Sequence, residues 1–432
     1  MAAVLLRGGR LVDPASGHDG PADVLVEDGL VATVGGGTAP SGADVVDCQG
    51  LVVAPGLVDL HTHLREPGRE DAETIDTGSR AAAVGGYTAV CAMPNTDPVA
   101  DHAAVVLEVA ALAEKAGLCE VVPAAAITRG LAGEELVEMG ELVEAGVRLF
   151  TDDHSSVQSA RVMRLALEYS RAFEVVLSQH AEDHTLSEGW QMHEGHYSAL
   201  LGLRGVPAEA ESAIVARDVA LARLTGGRLH VTHVSAAETV RVIGDAVARG
   251  IPLTADVTPH HLTFTDEDLV SYDTNLKVNP PFRSAEDRHA LRGALAEGVL
   301  GAVATDHAPH AVEDKEVEFD QARPGTTGLE TALAVVLTEL VEPGLLDLAE
   351  AIRRMSTTPA RILRLSDHGG PVAPGRPANL VAFDPTAGWV VGERPFASRS
   401  RNSVFLGRAL RGRVVHTLLR GELTVRDGEA TR

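Results

Sequence analysis

Two histidines one residue apart close an apolar run in "VDLHTHLR" at positions 58–65. On a strand, successive side chains point to opposite faces, so His61 and His63 share one face while Leu60 and Thr62 take the other. Two imidazoles aimed at one point are the beginning of a metal site. Other apolar runs end in comparable groups: Asp152 and Asp153 after "GVRLFTD", His180 closing "FEVVLSQH", His233 closing "RLHVTH" and Asp306 closing "LGAVATD". Singly, each has an ordinary explanation, as a buried His bonded to backbone or an Asp capping the next helix. Four histidines and two or three carboxylates at corresponding points of five runs are instead a metal-ligand inventory. His61 and His63 would hold one divalent ion, and a carboxylate of the fourth run, Asp152 or Asp153, would bridge to a second ion on His180 and His233.

For such residues to meet, the runs that carry them must end on one face of the fold. Eight short apolar runs alternate with Ala/Leu/Glu/Arg-rich helical stretches: "GLVDLH", "YTAVCAM", "CEVVPAA", "GVRLFTD", "FEVVLSQH", "RLHVTH", "IPLTADV" and "LGAVATD". That alternation is the pattern of repeated βα units and a parallel sheet, and eight units fit a (β/α)8 TIM-type barrel whose strand carboxyl ends converge. Stretches such as "DHAAVVLEVAALAEKAG" and "AESAIVARDVALARLTGG" carry the three- and four-residue apolar spacing of covering helices and end in glycine. Both chain ends read differently, as short β-prone runs punctuated by glycine. The expected organisation is therefore an α/β chain with the barrel at 55–365 and a small β-sandwich built from 1–54 and 366–432.

The formal net charge of −24 excludes a basic nucleic-acid or anionic-membrane surface, and an anionic small substrate would need local cations. Cys48, Cys91 and Cys119 are widely spaced, without a Cys-x-x-Cys pair, and read as structural thiols of a reducing compartment. The opening "MAAVLLRGGR" is too short and too basic for a signal peptide, and no run approaches the ~18 apolar residues of a membrane span. A cytoplasmic enzyme is expected.

The stretches "DLHTHLREPG", "AMPNTDP", "FTDD", "SQHAED", "GVPAEAESAIVARD", "VTHVS", "VTPHHL", "NLKVNPPFR", "ATDHAPH" and "GLETAL" together resemble the bacterial dihydroorotases of the cyclic amidohydrolase superfamily, nearly end to end. The resemblance implies two zinc ions per subunit. His61, His63 and Asp306 would ligate one, His180 and His233 the other, and Asp153 would bridge them, with Asp306 also the general acid/base. It places substrate contacts on His63, Arg65, Asn95, Asn279, His310 and the Pro324-Gly325 backbone. The family often has Phe where Pro324 stands, a departure at one substrate contact.

The implied reaction is the reversible, water-releasing cyclisation of N-carbamoyl-L-aspartate to (S)-dihydroorotate in pyrimidine biosynthesis. A homo-oligomer is expected, and the resemblance is compatible with a complex with aspartate transcarbamoylase. A hydantoinase or dihydropyrimidinase is the nearest rival. Those enzymes usually bridge their metals with a carboxylated lysine, whereas none of Lys115, Lys277 and Lys315 lies at the end of the fourth run. A non-catalytic dihydroorotase-like subunit is the rival from another class, and it would be expected to have lost ligands that this chain retains.

Overall fold

In the computed structural model, which describes residues 3–36 and 39–432, the eight apolar runs are eight strands. They are β1 (Leu57–Thr62), β2 (Tyr87–Ala92), β3 (Glu120–Pro123), β4 (Leu149–Phe150), β5 (Val176–Gln179), β6 (Arg228–Val231), β7 (Leu253–Val257) and β8 (Ala302–Val303). Neighbours pair in parallel from β1 to β3 and from β4 to β8. Parallel bridges between Ala125 and Phe150 and between Thr62 and His307 close the ring. Covered on both sides, these strands are buried along almost their whole length, which is why they read as apolar runs without alternation.

Helices on the outside supply that cover. The two expected stretches fold as Ala103–Ala116 and Glu209–Thr225, ended by Gly117 and Gly226 in the left-handed conformation. The helix Ile75–Val84 starts from a reciprocal cap between Thr74 and Thr77.

The chain ends build two further sheets. One has four strands in the order Leu30–Val34, Val24–Glu27, Val4–Arg7, Asp44–Asp47. The other has seven, and its centre joins the two ends of the chain: Val52–Pro55 runs antiparallel to Leu380–Val390 and parallel to Arg10–Asp13. Val4, Val24, Val46, Leu380 and Leu418 share one apolar core between the sheets, giving the β-sandwich. Only Gly56 separates the sandwich strand Val52–Pro55 from β1. A Cβ on Gly56 would come within 2.2 Å of the Thr88 side chain, so the junction requires glycine.

The segment between the last two long strands of the sandwich returns to the barrel. The Asn402 side chain donates to the carbonyls of Ala308 and Gly325, both at 3.1 Å, and accepts from the His310 N–H at 3.0 Å. Ser400 Oγ lies 2.6 Å from Ala72 O and 2.8 Å from His310 O. These bonds fasten the loop after β8. Among the described residues no helix is long and apolar enough to cross a membrane.

Candidate metal centre and substrate cleft

All six residues expected as ligands are buried together at the carboxyl ends of β1, β4, β5, β6 and β8. His61 Nε2 lies 3.3 Å from His63 Nε2, and each nitrogen is 3.5 Å from Asp306 Oδ1. Asp153 faces both rings, Oδ1 at 3.4 Å from His61 Nε2 and Oδ2 at 3.5 Å from His63 Nε2. On its other side, Asp153 Oδ1 is 3.9 Å from His180 Nδ1 and 3.9 Å from His233 Nε2, nitrogens that are themselves 3.0 Å apart. Ligands of a tetrahedral ion at ~2.0–2.2 Å stand roughly 3.3–3.5 Å from each other, so these separations are those of a donor set around a cation.

The hydrogen bonds behind the rings decide which atom each presents. Thr232 Oγ1 donates to Asp256 Oδ2 at 3.2 Å and therefore accepts from His61 Nδ1 at 3.0 Å. Asn95 turns its Nδ2 toward Asp153 Oδ2 at 3.5 Å, so its Oδ1 accepts from His63 Nδ1 at 3.0 Å. Glu182 Oε2 accepts from His180 Nε2 at 3.0 Å. In the neutral rings, the bare lone pairs of His61 Nε2, His63 Nε2 and His180 Nδ1 are left facing the centre. Two lone pairs 3.3 Å apart repel unless a cation or a proton lies between them. With protein groups alone, burial opposes charging His61, but Asp153 and Asp306 outweigh it and push the ring up to about 10. Asp153 stays well below the usual carboxylate range despite its burial, because the His61 and His63 rings surround it. The donor set fits a divalent metal.

The neighbouring carboxylates of the fourth strand end part company. Asp153 enters the centre, whereas Asp152 accepts from the backbone N–H groups of Ile127 at 2.8 Å and Thr128 at 2.9 Å and from the Thr128 hydroxyl. Asp306 and His233 both hold left-handed backbone, with φ of 47° and 39°, a conformation that non-glycine residues keep only where their surroundings enforce it.

Two buried acids do part of that enforcing, and sequence reasoning missed both. Asp59 accepts from Thr62 Oγ1 at 2.5 Å and from Thr305 N and Oγ1, both at 2.7 Å, joining β1 to the turn that presents Asp306. Asp256 accepts from His233 N at 2.7 Å and pairs with the His230 ring at 2.8 Å. The available signal was an acid inside an apolar run, "LVDLH" and "LTADV", which must find partners once buried. Glu182 in "SQHAED" was also missed; it holds His180 and receives Asn279 Nδ2 at 3.0 Å.

Beside the centre opens a cleft of about 170 Å3, below the ~300 Å3 typical of drug-sized sites, as suits a small metabolite. Every expected ligand and substrate contact except His61 lines it. Arg65, itself in left-handed backbone, donates from Nε to Pro309 O at 3.0 Å. Burial and the neighbouring Arg69 lower its guanidinium to about 10, so it stays charged at neutral pH. His310 donates from Nε2 to Pro324 O at 2.9 Å. Burial and Arg65 hold this ring neutral, so its Nδ1, without a hydrogen bond and 3.5 Å from Asp314 Oδ2, carries a lone pair.

Pro324 has no N–H to offer, and the Gly325 N–H is bonded to Lys277 O at 2.9 Å. A Cβ on Gly325 would lie 2.7 Å from His310 Nε2, so only glycine lets the ring pack there. Two lysines brace the same loop. Lys277 Nζ binds Gln191 Oε1 at 2.6 Å and Phe319 O at 2.7 Å, and Lys315 Nζ binds Thr274 O at 3.0 Å and Lys277 O at 3.2 Å.

Comparison with known proteins identifies the family. Residues 50–239 match the family model described as dihydro-orotase-like. A Streptomyces coelicolor protein named dihydroorotase is 51% identical over 433 aligned residues, covering 100% of both chains. A Mycobacterium tuberculosis protein of the same name is 52% identical over 431, covering 99% of each. The chain belongs to the dihydroorotase family. Membership makes it an enzyme of the cyclic amidohydrolase superfamily. The L-hydantoinase (dihydropyrimidinase) of Arthrobacter aurescens superposes with a TM-score of 0.88 over 100% of this chain and 98% of its own, at 27% identity. Hydantoinases are thus relatives in fold and superfamily, at about half the identity that the dihydroorotases share with this chain.

The two acids of "FTDD" separate experimentally. Asp153→Ala is expected to abolish divalent-metal uptake, measured by elemental analysis after dialysis against zinc. Asp152→Ala should keep the metal but unfold more easily, by ~1–3 kcal/mol for each buried N–H left unpaired. Equal zinc content in the two variants would contradict the division of roles.

Proposed function

We propose that this protein is a zinc-dependent dihydroorotase that interconverts N-carbamoyl-L-aspartate and (S)-dihydroorotate. The observation that carries the reading is the convergence of His61, His63, His180, His233, Asp153 and Asp306 on one buried point beside a cleft that also presents Arg65. His61, His63 and Asp306 would hold one zinc, His180 and His233 a second, with Asp153 shared between them. Bound there, the metal supplies Lewis acidity toward a carboxyl oxygen and lowers the pKa of water toward ~7.

The chain's own residues do the rest. Arg65 sets a charged guanidinium toward the free carboxylate, and Asn95 Nδ2, only loosely engaged with Asp153 at 3.5 Å, has a proton to donate. The Nδ1 of His310, free of hydrogen bonds though 3.5 Å from Asp314 Oδ2, accepts from a substrate N–H, complementing the ureido group of the open form and the ring amide of the closed one. Asn279, fixed by Glu182, walls the cleft opposite.

In the cyclising direction, the ureido nitrogen attacks the side-chain carboxyl carbon while Asp306 takes the nitrogen's proton. A C–N bond forms, a C–O bond breaks, and the oxygen leaves as water, taking one proton from the nitrogen by way of Asp306 and one from solution. In hydrolysis Asp306 returns that proton to the departing nitrogen. All six donors are present, as a catalytic rather than a scaffolding subunit requires, and Asp153 carries its carboxylate without modification, unlike a lysine bridge. Cytoplasmic location, a homo-oligomeric state and association with aspartate transcarbamoylase belong to the same proposal and follow from family likeness alone.

Purified, zinc-loaded protein should convert carbamoyl aspartate and dihydroorotate into one another and leave hydantoin and dihydrouracil nearly untouched; preference for the neutral rings would transfer the assignment to hydantoinase. Because ring closure consumes one proton, the equilibrium ratio of dihydroorotate to carbamoyl aspartate should rise about tenfold for each unit fall in pH above the carboxylate pKa values. A ratio independent of pH would sink the reaction. Asp306→Asn should lower kcat by ~10²-fold or more if it moves the proton, and near-normal turnover in that variant would remove it from the role.

A further inference from the structure

We propose that Arg69 and Arg323, held at the mouth of the cleft by Asp314, form an electrostatic capture pair for the substrate's carboxylates, separate from Arg65. This rests on the dihydroorotase reading above. A dicarboxylate approaching a chain of formal net charge −24 meets a repulsive field, which the mouth of the cleft must reverse locally.

The charges are sorted to do so. Arg65, Arg69 and Arg323 line the cleft, and among the described residues the only acids lining it are Asp153 and Asp306 at the candidate metal centre. The loop that carries Arg323 is otherwise acidic, yet Glu313, Glu316, Glu318 and Asp320 are all exposed and none lines the cleft. Asp314 orders the pair, with Oδ2 accepting from Arg69 Nη2 at 2.6 Å and Oδ1 facing Arg323 Nε at 3.2 Å, while Oδ2 also lies 3.5 Å from His310 Nδ1. Asp71 adds a looser contact, 3.6 Å from Arg69 Nε.

A guanidinium has five donors, so Asp314 shared by two of them leaves donors for an arriving anion, and Asp71, 3.6 Å away and more than half exposed, offsets little of the remaining positive charge. Partial exposure, 30% for Arg69 and 59% for Arg323, keeps both within reach of solvent. Neither residue contacts the expected ligands, so the attraction acts on ground state and transition state alike and shows in KM rather than kcat.

Coulomb attraction is linear in the ligand's charge, which gives the pair a signature that a plain loop staple lacks. Carbamoyl aspartate carries two carboxylates and dihydroorotate one. In the zinc-loaded Arg69→Gln/Arg323→Gln variant, KM for carbamoyl aspartate should rise about tenfold at low ionic strength and KM for dihydroorotate about threefold, with kcat within about twofold. The gap should close as salt shortens the Debye length to ~3 Å near 1 M, and Arg69→Lys/Arg323→Lys should restore most of the loss.

Equal shifts for the two substrates, a shift that persists in high salt, or a fall in kcat alone would overturn the proposal. Calorimetric titration of the same holoproteins with succinate and with acetate reads the charge dependence without turnover. A wild-type protein inactive on both substrates would therefore sink the dihydroorotase reading, while equal losses of succinate and acetate affinity would sink the capture pair.

Discussion

Everything in this protein is arranged around a repulsion. The lone pairs of His61 and His63 are held 3.3 Å apart beside two carboxylates in a buried pocket, an arrangement that the neutral rings cannot satisfy among themselves. A flexible chain would relieve it by turning a ring. Here the closed ring of eight strands fixes where each ring begins, and Thr232, Asn95 and Glu182 fix which nitrogen it presents. The energy needed to keep these donors converged comes from the apolar barrel and its helical cover, and a bound cation releases it as affinity.

The support behind the donors is itself polar and buried. Asp59 and Asp256 each sit within a strand, fully covered, with several donors apiece. A buried carboxylate with that many partners is strict about geometry, since losing any one of them exposes part of its desolvation cost. This explains how Asp306 and His233 keep left-handed backbone without glycine. The strain is local, and the bonds that hold it come from Thr305 and Thr232 one residue away and from the His233 N–H itself.

The barrel and the convergence of the candidate donors were legible because each depends on short-range pattern. A fully buried parallel strand must be apolar throughout, and a functional group at its end interrupts that pattern, so "VDLHTH" and "VATDH" announce themselves. The choice between Asp152 and Asp153 was legible only in part, since it turns on the path of the chain past a strand of two residues. What stayed hidden depends on contacts remote in sequence. Asn402 reaches His310 across 92 residues, and Lys315 meets the carbonyl of Lys277 across 38, and no local periodicity encodes either. The state of His310 was hidden for the same reason: its neutral ring follows from its burial and from Arg65, and the Pro324 carbonyl takes its Nε2, none of it encoded by a fixed spacing.

The sheet that joins the two ends of the chain bears on how the protein is made. Val52–Pro55 leaves the ribosome early, yet its partner Leu380–Val390 emerges only after the whole barrel has been synthesised. Until then one edge of a hydrophobic strand has no neighbour, the condition that invites pairing between nascent chains and recruits chaperones. Asn402 arrives later still, so the loop carrying His310 and Gly325 acquires its fastening only after the barrel and the strand Leu380–Val390 have been made. A barrel released early would hold its metal donors in place around a cleft whose far wall had not yet been tied down.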